Sequence, residues 1–228
     1  MRVLVVTATR AEVEPLVSAL ASPVAHNRVL TGLLGHHKVD VLLTGVGMVP
    51  TAAWCTRALA IGGYDLAANL GVCGSFNPDL PPGSVVHIVS ESMPELGAED
   101  GETFLPLSQL GLLKDDEFPW TAGRLVNLQP PPIPALAALP EVAGVTVNTA
   151  HGHEPSIAAL LQRERADVES MEGAGFMYAC LVAGVPFVEV RAVSNRVERR
   201  NRAAWDLKGA IDALGRVSLQ LLGASTQA

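Results

Sequence analysis

Polar side chains that could do chemistry follow the ends of several predicted β-strands. Glu12 comes one turn after the strand predicted over residues 3–6. A partly desolvated carboxylate at this point could act as a general base on water. The same residue type is also common in the first turn of a helix, where the helix dipole stabilises it. Glu12 taken alone therefore leaves both interpretations open.

Two further candidates, Glu172 and Asn195, follow later segments of the chain. Glu172 stands at the start of a predicted helix, where its two oxygens could accept both hydroxyls of a ribose and Met171 could pack on the sugar face. Asn195 follows Ser194 at the end of an apolar strand, and its amide offers a donor and an acceptor to the edge of a base. A helix-start carboxylate without a ligand and an ordinary turn asparagine are the alternatives.

Two glycine-containing turns are less specific. The run NLGVCGS at residues 69–75 closes a buried strand with two glycines, which let a backbone approach a ligand or simply make a tight connection. The segment Gly45-Val46-Gly47 lacks the third glycine and the downstream acid of a dinucleotide fingerprint. A nicotinamide-dependent oxidoreductase is therefore not indicated, and no cofactor is expected.

The elements that must position these residues alternate between strands and helices. Apolar runs predict strands over residues 3–6, 27–34, 38–44, 65–71, 84–90, 144–149 and 187–194. Helices are predicted from about Ala11, from near Pro50, and over residues 155–164, 173–183 and about 203–222. The pattern indicates an α/β layer structure, in which ligands bind at the carboxyl ends of strands.

Residues 91–141 interrupt this alternation. They contain many acidic residues and the turn-rich runs EDGETFLPL and QPPPIPALAALP. We predict loops with short elements here, with room for an edge strand, and not a linker between domains. At 228 residues the chain is long enough for one sizeable domain, so we expect a single domain over residues 1–228 with a loop-rich insertion.

Composition restricts the partners and the compartment. A formal net charge of −7 argues against a nucleic-acid partner, although Arg196, Arg199, Arg200 and Arg202 cluster locally. The three cysteines are far apart and odd in number, so neither a disulfide framework nor a zinc site is indicated. The apolar run at the N-terminus meets an acid by position 12, too early for a signal peptide or a membrane span. We therefore expect a cytoplasmic protein without a metal, a membrane or a nucleic-acid partner.

In combination these segments resemble the purine nucleoside phosphorylase and nucleosidase superfamily, above all its hydrolytic branch, over nearly the whole chain. The similarity is carried by VLVVTATRAEVEPL, GVGMVPTAAW, NLGVCGSF, VESMEGAGFMYAC and VEVRAVSN. The separation of VESMEGAGFMYAC from VRAVSN is the specific part. The resemblance implies a three-layer fold with a central mixed β-sheet flanked by helices, a small purine nucleoside as substrate, and a homo-oligomer, either a dimer or larger.

Carried over residue by residue, the resemblance implies catalytic and binding roles. Glu12 matches the acid that activates the attacking water. Met171 and Glu172 match the pair that holds the ribose. Asn195, with Ser194 before it, matches the contact to N7 and the six-position substituent of the purine.

The remaining matches concern the walls of the site. Val72 and Cys73 match the turn that lines the ribosyl side, although Val72 replaces a small polar residue that is common in the adenosine-type nucleosidases. Residues 149–153, with Thr149 and His151 as the candidates, match the loop that stacks on the base.

Asn195 departs from the adenine-specific nucleosidases, which carry an aspartate at this position. An asparagine cannot donate a carboxyl proton to N7, but its NH₂ can bind a 6-oxo group and N7. The resemblance therefore implies hypoxanthine or guanine as the base. A site of this kind can discriminate by roughly 10⁴-fold, because the wrong base leaves buried polar groups unpaired.

The choice between water and phosphate rests on the first loop, residues 7–12. A phosphate pocket is usually built from glycine-rich backbone and arginines, and this loop has no glycine. A glutamate at the nucleophile site would repel phosphate and polarise water, whereas Arg10 argues for phosphate. The sequence thus favours hydrolysis.

A hydrolase of 6-oxopurine nucleosides within this superfamily points to the futalosine hydrolases, which release hypoxanthine from futalosine for menaquinone biosynthesis. One of the clustered arginines could pair with the benzoate of that substrate, or all could be solvated. Three alternatives stay open: a methylthioadenosine/S-adenosylhomocysteine nucleosidase, a 6-oxopurine nucleoside phosphorylase, and a non-catalytic nucleoside-binding module. Glu12, Glu172 and Asn195 occurring together argue against the last.

Overall fold

The computed structural model describes residues 1–223, so residues 224–228 of the predicted domain lie outside the described part. The strands are β1 (Arg2–Thr7), β2 (Ala21–His26), β3 (Val29–Leu34), β4 (His37–Leu43), β5 (Leu66–Ser75), β6 (Val85–Ser92), β7 (Gly97–Asp100), β8 (Thr103–Pro106), β9 (Trp120–Thr121), β10 (Arg124–Val126), β11 (Glu141–Thr146), β12 (Val168–Ser170) and β13 (Phe187–Arg196). The helices are α1 (Glu14–Ser18), α2 (Met48–Gly62), α3 (Pro134–Ala137), α4 (Glu154–Arg163), α5 (Gly173–Ala183) and α6 (Leu207–Leu221). None of these helices is long and apolar enough to cross a membrane.

Eleven strands join in one mixed sheet, as the resemblance implied. The order is β2-β3-β4-β1-β5-β12-β11-β6-β10-β9, and β13 pairs with both β5 and β6. Strand β13 therefore closes a ring with β5, β12, β11 and β6. Strand β1 is parallel to both β4 and β5, and β5 is parallel to β13. The carboxyl ends of these four strands therefore meet at one edge of the sheet.

The apolar core lies on both faces of the sheet, which explains the continuous apolar run at the start of the chain. Val3 and Val5 point into a cluster with α1 and α6, whereas Leu4 and Val6 point into a second cluster with α2 and α5. Successive side chains of a strand alternate between the two faces, so a strand covered on both sides has no polar position.

Most predicted elements are confirmed, and α5 has its predicted bounds. Strand β5 ends four residues after its predicted end, and β11 begins three residues before its predicted start. Helix α6 begins at Leu207, later than predicted, because residues 202–204 form a separate 3₁₀ turn. The helix predicted from Ala11 is split into a 3₁₀ turn (Arg10–Val13) and α1. Strand β2 was not predicted, since it is an exposed strand at the sheet edge and contains a proline.

The loop-rich insertion, residues 91–141, has the predicted mixture of loops and short elements. Strands β7 and β8 pair only with each other in a separate hairpin. Strand β10 adds to β6, and β9 is the edge strand beyond it. Strands β10 and β9 of the insertion therefore extend one end of the main sheet.

Candidate active site

A cavity of about 390 Å³ opens at the carboxyl ends of β1, β5 and β13. Its walls include the loop after β1, the end of β5, the segment before α5, the end of β13 and the first turns of α6. This is the edge of an α/β sheet at which ligands are expected, and the volume suits a small organic molecule. Eight of the nine site residues predicted from the sequence line this cavity: Glu12, Val72, Cys73, His151, Met171, Glu172, Ser194 and Asn195.

Glu12 is 8% exposed and is held by backbone and hydroxyl donors. Its Oε2 accepts hydrogen bonds from the amide of Thr9 at 2.8 Å and from the Thr9 hydroxyl at 2.9 Å. Its Oε1 accepts one bond, from the amide of Val72 at 3.2 Å. The carboxylate thus closes a capping box at the 3₁₀ turn, and Oε1 keeps accepting capacity for a molecule in the cavity. Both interpretations of Glu12 from the sequence are compatible with this geometry.

Glu172 is the residue that precedes α5, and it is 5% exposed. Its Oε1 accepts from the amide of Gly47 at 3.1 Å, and its Oε2 accepts from Arg191 Nη1 at 3.1 Å. The two bonds fix the plane of the carboxylate at the cavity wall, and each oxygen can accept one more hydrogen bond. Met171, beside it, also lines the cavity.

Arg191 on β13 is 1% exposed and connects the buried carboxylates. Its Nε donates to Glu189 at 2.9 Å while Nη1 reaches Glu172. Gly71 lies between Arg191 and Glu12: a Cβ at Gly71 would be 2.5 Å from Arg191 Nη1 and 2.9 Å from Glu12 Oε1. The glycine in the NLGVCG turn is therefore required for the close approach of these side chains.

The protonation of Arg191 follows from its neighbours. Burial acts to lower the pKa of the guanidinium, but the carboxylates of Glu189, Glu172 and Glu12 together raise that pKa above its ordinary value. Arg191 therefore remains a cation in the interior and offsets part of the negative charge that surrounds the cavity.

Asn195 stands after a β-bulge. The pairing of β13 with β5 shifts register between Val193 and Asn195, so Ser194 is the additional residue. The Ser194 hydroxyl donates to Asn195 Oδ1 at 2.8 Å, and Asn195 Nδ2 donates to the carbonyl of Arg196 at 2.8 Å. Oδ1 already accepts one hydrogen bond, and the second hydrogen of the NH₂ group is the donor that the amide can offer to the cavity.

Of the two candidates in the loop of residues 149–153, His151 lines the cavity and Thr149 does not. His151 Nδ1 lies 2.7 Å from Glu169 Oε2, and its backbone amide donates to Glu169 Oε1 at 3.0 Å. Burial raises the pKa of Glu169, although its hydrogen bonds from His151 act in the opposite direction. Thr149 is exposed and is not among the lining residues, so its assignment gains no support.

The end of β5 gives the cavity an apolar wall. Val72 and Cys73 at the end of β5 both line it. Burial raises the pKa of the Cys73 thiol to about 12, so this cysteine is a neutral wall residue and not a nucleophile.

Two of the four clustered arginines, Arg196 and Arg200, line the mouth of the cavity together with Trp205. Arg196 Nη2 donates to the carbonyl of Pro78 at 3.1 Å. The guanidinium carbon of Arg200 lies 5.6 Å from the ring centre of Trp205. No carboxylate of residues 1–223 lies within 4.0 Å of Arg200, so its donors are available.

Sequence reasoning did not select Thr9, Glu169 or Arg191. Arg191 carried a signal, because an arginine in the middle of a strand predicted to be buried must have buried partners. Glu169 lies within the VESMEG motif, but its spacing alone does not show that it holds His151. Thr9 could have been found from the Thr-x-x-Glu pattern that it forms with Glu12.

The model of the Phosphorylase superfamily matches residues 2–223 of the chain. Three curated relatives are futalosine hydrolases. That of Streptomyces coelicolor is 35% identical, covering 94% of this chain and 92% of the relative. That of Acidothermus cellulolyticus is 33% identical, covering 92% of this chain and 86% of the relative. That of Thermus thermophilus is 30% identical, covering 79% of this chain and 80% of the relative.

Solved structures share the fold at low sequence identity. A 5′-methylthioadenosine/S-adenosylhomocysteine nucleosidase from Neisseria meningitidis, in complex with methylthio-immucillin-A, has a TM-score of 0.80 at 19% identity, covering 97% of this chain and 98% of the other. Futalosine hydrolase of Helicobacter pylori has a TM-score of 0.79 at 16% identity, covering 98% and 97%.

The buried ion pairs of Arg191 lead to a stability prediction. Replacing Arg191→Met removes the cation but leaves the carboxylates of Glu172 and Glu189 buried, which should lower the free energy of unfolding by about 3–5 kcal/mol. Urea unfolding at pH 7 measures this loss. Lys208→Met is the control, since it breaks an exposed pair with Asp212 and should leave the unfolding midpoint unchanged. Equal stability of the two variants would contradict the role given to Arg191.

Proposed function

The chain belongs to the Phosphorylase superfamily, and we propose that within it the protein is a futalosine hydrolase. The reaction splits the N-glycosidic bond of futalosine with water and gives hypoxanthine and dehypoxanthine futalosine, a step of menaquinone biosynthesis. Three curated futalosine hydrolases at 30–35% identity over most of their length support this assignment. The observation that carries the chemistry is the carboxylate of Glu12 at the cavity wall.

Glu12 acts as the general base that takes a proton from the attacking water. Its buried carboxylate is oriented by Thr9 and Val72, and among residues 1–223 Oε1 has one donor, the Val72 amide. A water bound at Oε1 would be polarised toward the sugar carbon C1′. Arg191 lies on the other side of Gly71, so its positive charge is close to the Glu12 carboxylate.

Water is favoured over phosphate by the charges of the first loop. Ala8, Thr9, Ala11 and Glu12 line the cavity, whereas Arg10 is not among the lining residues. Arg10 instead pairs with Glu14 at an exposed position, with Nε 2.7 Å from Oε2. The one residue that argued for phosphate in the sequence is therefore turned away, and the nucleophile side presents a carboxylate.

Glu172 and Met171 hold the ribose, and Asn195 binds the purine. The Glu172 carboxylate, fixed by Gly47 and Arg191, can accept the two sugar hydroxyls. The free N–H of the Asn195 amide donates to the purine edge formed by the 6-oxo group and N7 and stabilises the negative charge that develops on the departing base. The Ser194 hydroxyl keeps the amide in the orientation that presents this donor. His151 lies at the base side, where its ring can contact the purine.

The alternatives receive less support. The methylthioadenosine nucleosidase structures are similar in fold, but at 19% identity they carry no argument about the substrate. A phosphorylase would need a phosphate pocket, and the first loop offers a carboxylate in its place. A non-catalytic module would not require an oriented base, a sugar-binding carboxylate and a purine-binding amide in one cavity.

We extend the proposal to the compartment and the assembly. Three buried free cysteines and a small-molecule substrate are compatible with a reducing cytoplasm. A homo-oligomer, a dimer or larger, is supported by Val46 and Val49, which are 57% and 75% exposed at the start of α2. Val46 also lines the cavity, so a neighbouring subunit at this surface would complete the wall beside the sugar.

The benzoate end of futalosine binds at the mouth of the cavity beside Arg200 and Trp205. Trp205 offers an aromatic face to the benzoate ring, and the unpaired guanidinium of Arg200 offers charge-assisted hydrogen bonds to its carboxylate. Arg196 is less suited, because it is already bound to the Pro78 carbonyl.

Incubation of the protein with futalosine, inosine and methylthioadenosine, with and without phosphate, tests the proposal. Free hypoxanthine should appear from futalosine at the same rate in both buffers, because water is the nucleophile, and methylthioadenosine should give no adenine. Chromatography of the free bases measures the result. Glu12→Gln is the control for a contaminating enzyme and should lower kcat by about 10²-fold or more with little change in KM. Adenine release, or a requirement for phosphate, would overturn the assignment.

Asn195→Asp tests the choice of base. A carboxylate in place of the amide would face the 6-oxo group without a donor, so kcat for futalosine should fall by about 10²-fold. The 6-amino analogue of futalosine should lose much less, since a protonated aspartate can donate to N7. The ratio of kcat/KM for the two substrates is the measurement. An unchanged ratio would show that Asn195 does not select the base.

Arg200→Ala tests the tail site. Loss of a charge-assisted contact should raise KM for futalosine by about 10- to 100-fold and leave the value for inosine, which has no benzoate, unchanged. Arg199→Ala is the matched control, because Arg199 is exposed and does not line the cavity. If the Arg200 and Arg199 variants bind futalosine equally well, another group binds the carboxylate.

A further inference from the structure

Two buried glutamates that do not line the cavity, Glu91 on β6 and Glu189 on β13, meet beneath the first residue of α5. Both side chains are 0% exposed. A Cβ at Gly173 would lie 2.4 Å from Glu91 Oε1 and 2.6 Å from Glu189 Oε1. The two carboxyl groups therefore occupy the same small space, directly under the helix that Glu172 precedes, and only glycine fits above them.

The hydrogen bonds of this pair are incomplete. Glu91 Oε2 accepts from the Thr146 hydroxyl at 2.9 Å, and Glu189 Oε1 accepts from Arg191 Nε at 2.9 Å. The second oxygen of each carboxyl, Glu91 Oε1 and Glu189 Oε2, has no donor among residues 1–223. A buried carboxylate oxygen without a donor is unfavourable, and one proton placed between the two groups would remove the deficit.

The local charge balance leads to the same conclusion. If all were ionised, Glu12, Glu172, Glu189 and Glu91 would bring four negative charges around the single guanidinium of Arg191. Burial, and next to it the charge of Glu189, raise the pKa of Glu91 well above its ordinary range. Burial also raises the pKa of Glu189, although Arg191 acts in the opposite direction. Two adjacent buried carboxyls cannot both be ionised without a large penalty.

The neighbours of each group indicate which one holds the proton. Glu189 has a direct ion pair with Arg191, which favours its ionised form. Glu91 is bonded only to the neutral Thr146 hydroxyl. Arg124 on β10 is the other cation near Glu91, but it donates to the carbonyl of Gly144 at 2.7 Å and pairs with Glu164 at 3.4 Å. The proton therefore belongs on Glu91.

We propose that Glu91 is a neutral carboxylic acid that donates its proton to Glu189, and that this pair positions Arg191 and, through it, Glu172. The pair carries one negative charge, which Arg191 Nε binds, while Arg191 Nη1 is left to fix the ribose-binding carboxylate. Glu91 and Glu189 are positioning residues and do not touch the substrate. The effect on sugar binding rests on the proposed function, whereas the shared proton does not.

Infrared spectroscopy of the substrate-free protein tests the shared proton independently of any activity. At pH 7 the wild-type protein should show the carbonyl band of a protonated carboxylic acid, shifted in D₂O, and Glu91→Gln should remove that band. Absence of the band from the wild-type protein, or its persistence in the Glu91→Gln variant, would overturn the assignment of the proton to Glu91. A failure of the futalosine assay would not alter this result.

Rescue by a neutral donor tests the positioning role. Glu91→Ala should lower kcat/KM for futalosine by about tenfold or more, because Glu189 loses its donor and Arg191 shifts. Glu91→Gln should restore most of the loss, since an amide NH₂ can donate as the carboxylic acid does. Glu189→Gln should lower kcat/KM for futalosine more than Glu91→Gln does, because it removes the charge that binds Arg191 Nε.

Two outcomes would refute the positioning role. The first is a Glu91→Gln variant that is as impaired as Glu91→Ala while its thermal unfolding midpoint matches the wild type, since Glu91 would then act as a charge. The second is full activity of the Glu189→Gln variant, which would separate Arg191 from the pair. If Glu91→Ala does not fold, the comparison of the two glutamine variants decides the question alone.

Discussion

The guanidinium of Arg191 is the cation on which the arrangement of the site depends. It is almost completely buried, binds Glu189 through Nε and Glu172 through Nη1, and approaches Glu12 across Gly71. Its Nε and Nη1 are paired, whereas the buried Nη2 has no hydrogen-bond partner among residues 1–223. Buried carboxylates are tolerated where a cation or a proton balances them. This requirement connects two walls of the cavity, because the guanidinium that binds Glu172 also lies close to the Glu12 carboxylate.

The sheet is what makes this concentration of charge possible. Parallel pairing of β1, β5 and β13 brings three carboxyl ends to one edge, where the turn after β1 supplies Glu12, the end of β5 supplies Val72 and the end of β13 supplies Asn195. Helix α5 brings Glu172 to the same place from the other wall. The strands that carry these polar residues contribute their other side chains to two apolar clusters. The cavity is therefore built on a rigid scaffold.

The sequence allowed the α/β class, most of the elements and eight of nine proposed site residues in the cavity wall to be predicted, since these depend on local patterns and on motif resemblance. It could not supply β2, whose exposed residues and proline give no apolar signal, or the start of α6 at Leu207. It also gave no access to the contacts among Arg191, Glu189 and Glu91, which come from strands far apart in the chain. Thr149 was selected by its place in a loosely aligned loop, and nearby side chains line the cavity in its place.

Asn195 shows how local backbone geometry adds to residue type. The asparagine alone indicates a 6-oxopurine, but the bulge at Ser194 and the Ser194 hydroxyl determine which end of the amide is available. In the proposed reaction, the selection of the base and the activation of water therefore involve different parts of the cavity, the end of β13 and the first loop.

The central claim is that water held at Glu12 attacks the sugar. Turnover of futalosine in H₂¹⁸O, followed by mass spectrometry of both products, tests it most directly. The account predicts one ¹⁸O atom in the sugar product, at the new hydroxyl on C1′, and none in the released hypoxanthine. Appearance of the label in the base, or a sugar phosphate without label when phosphate is present, would contradict it.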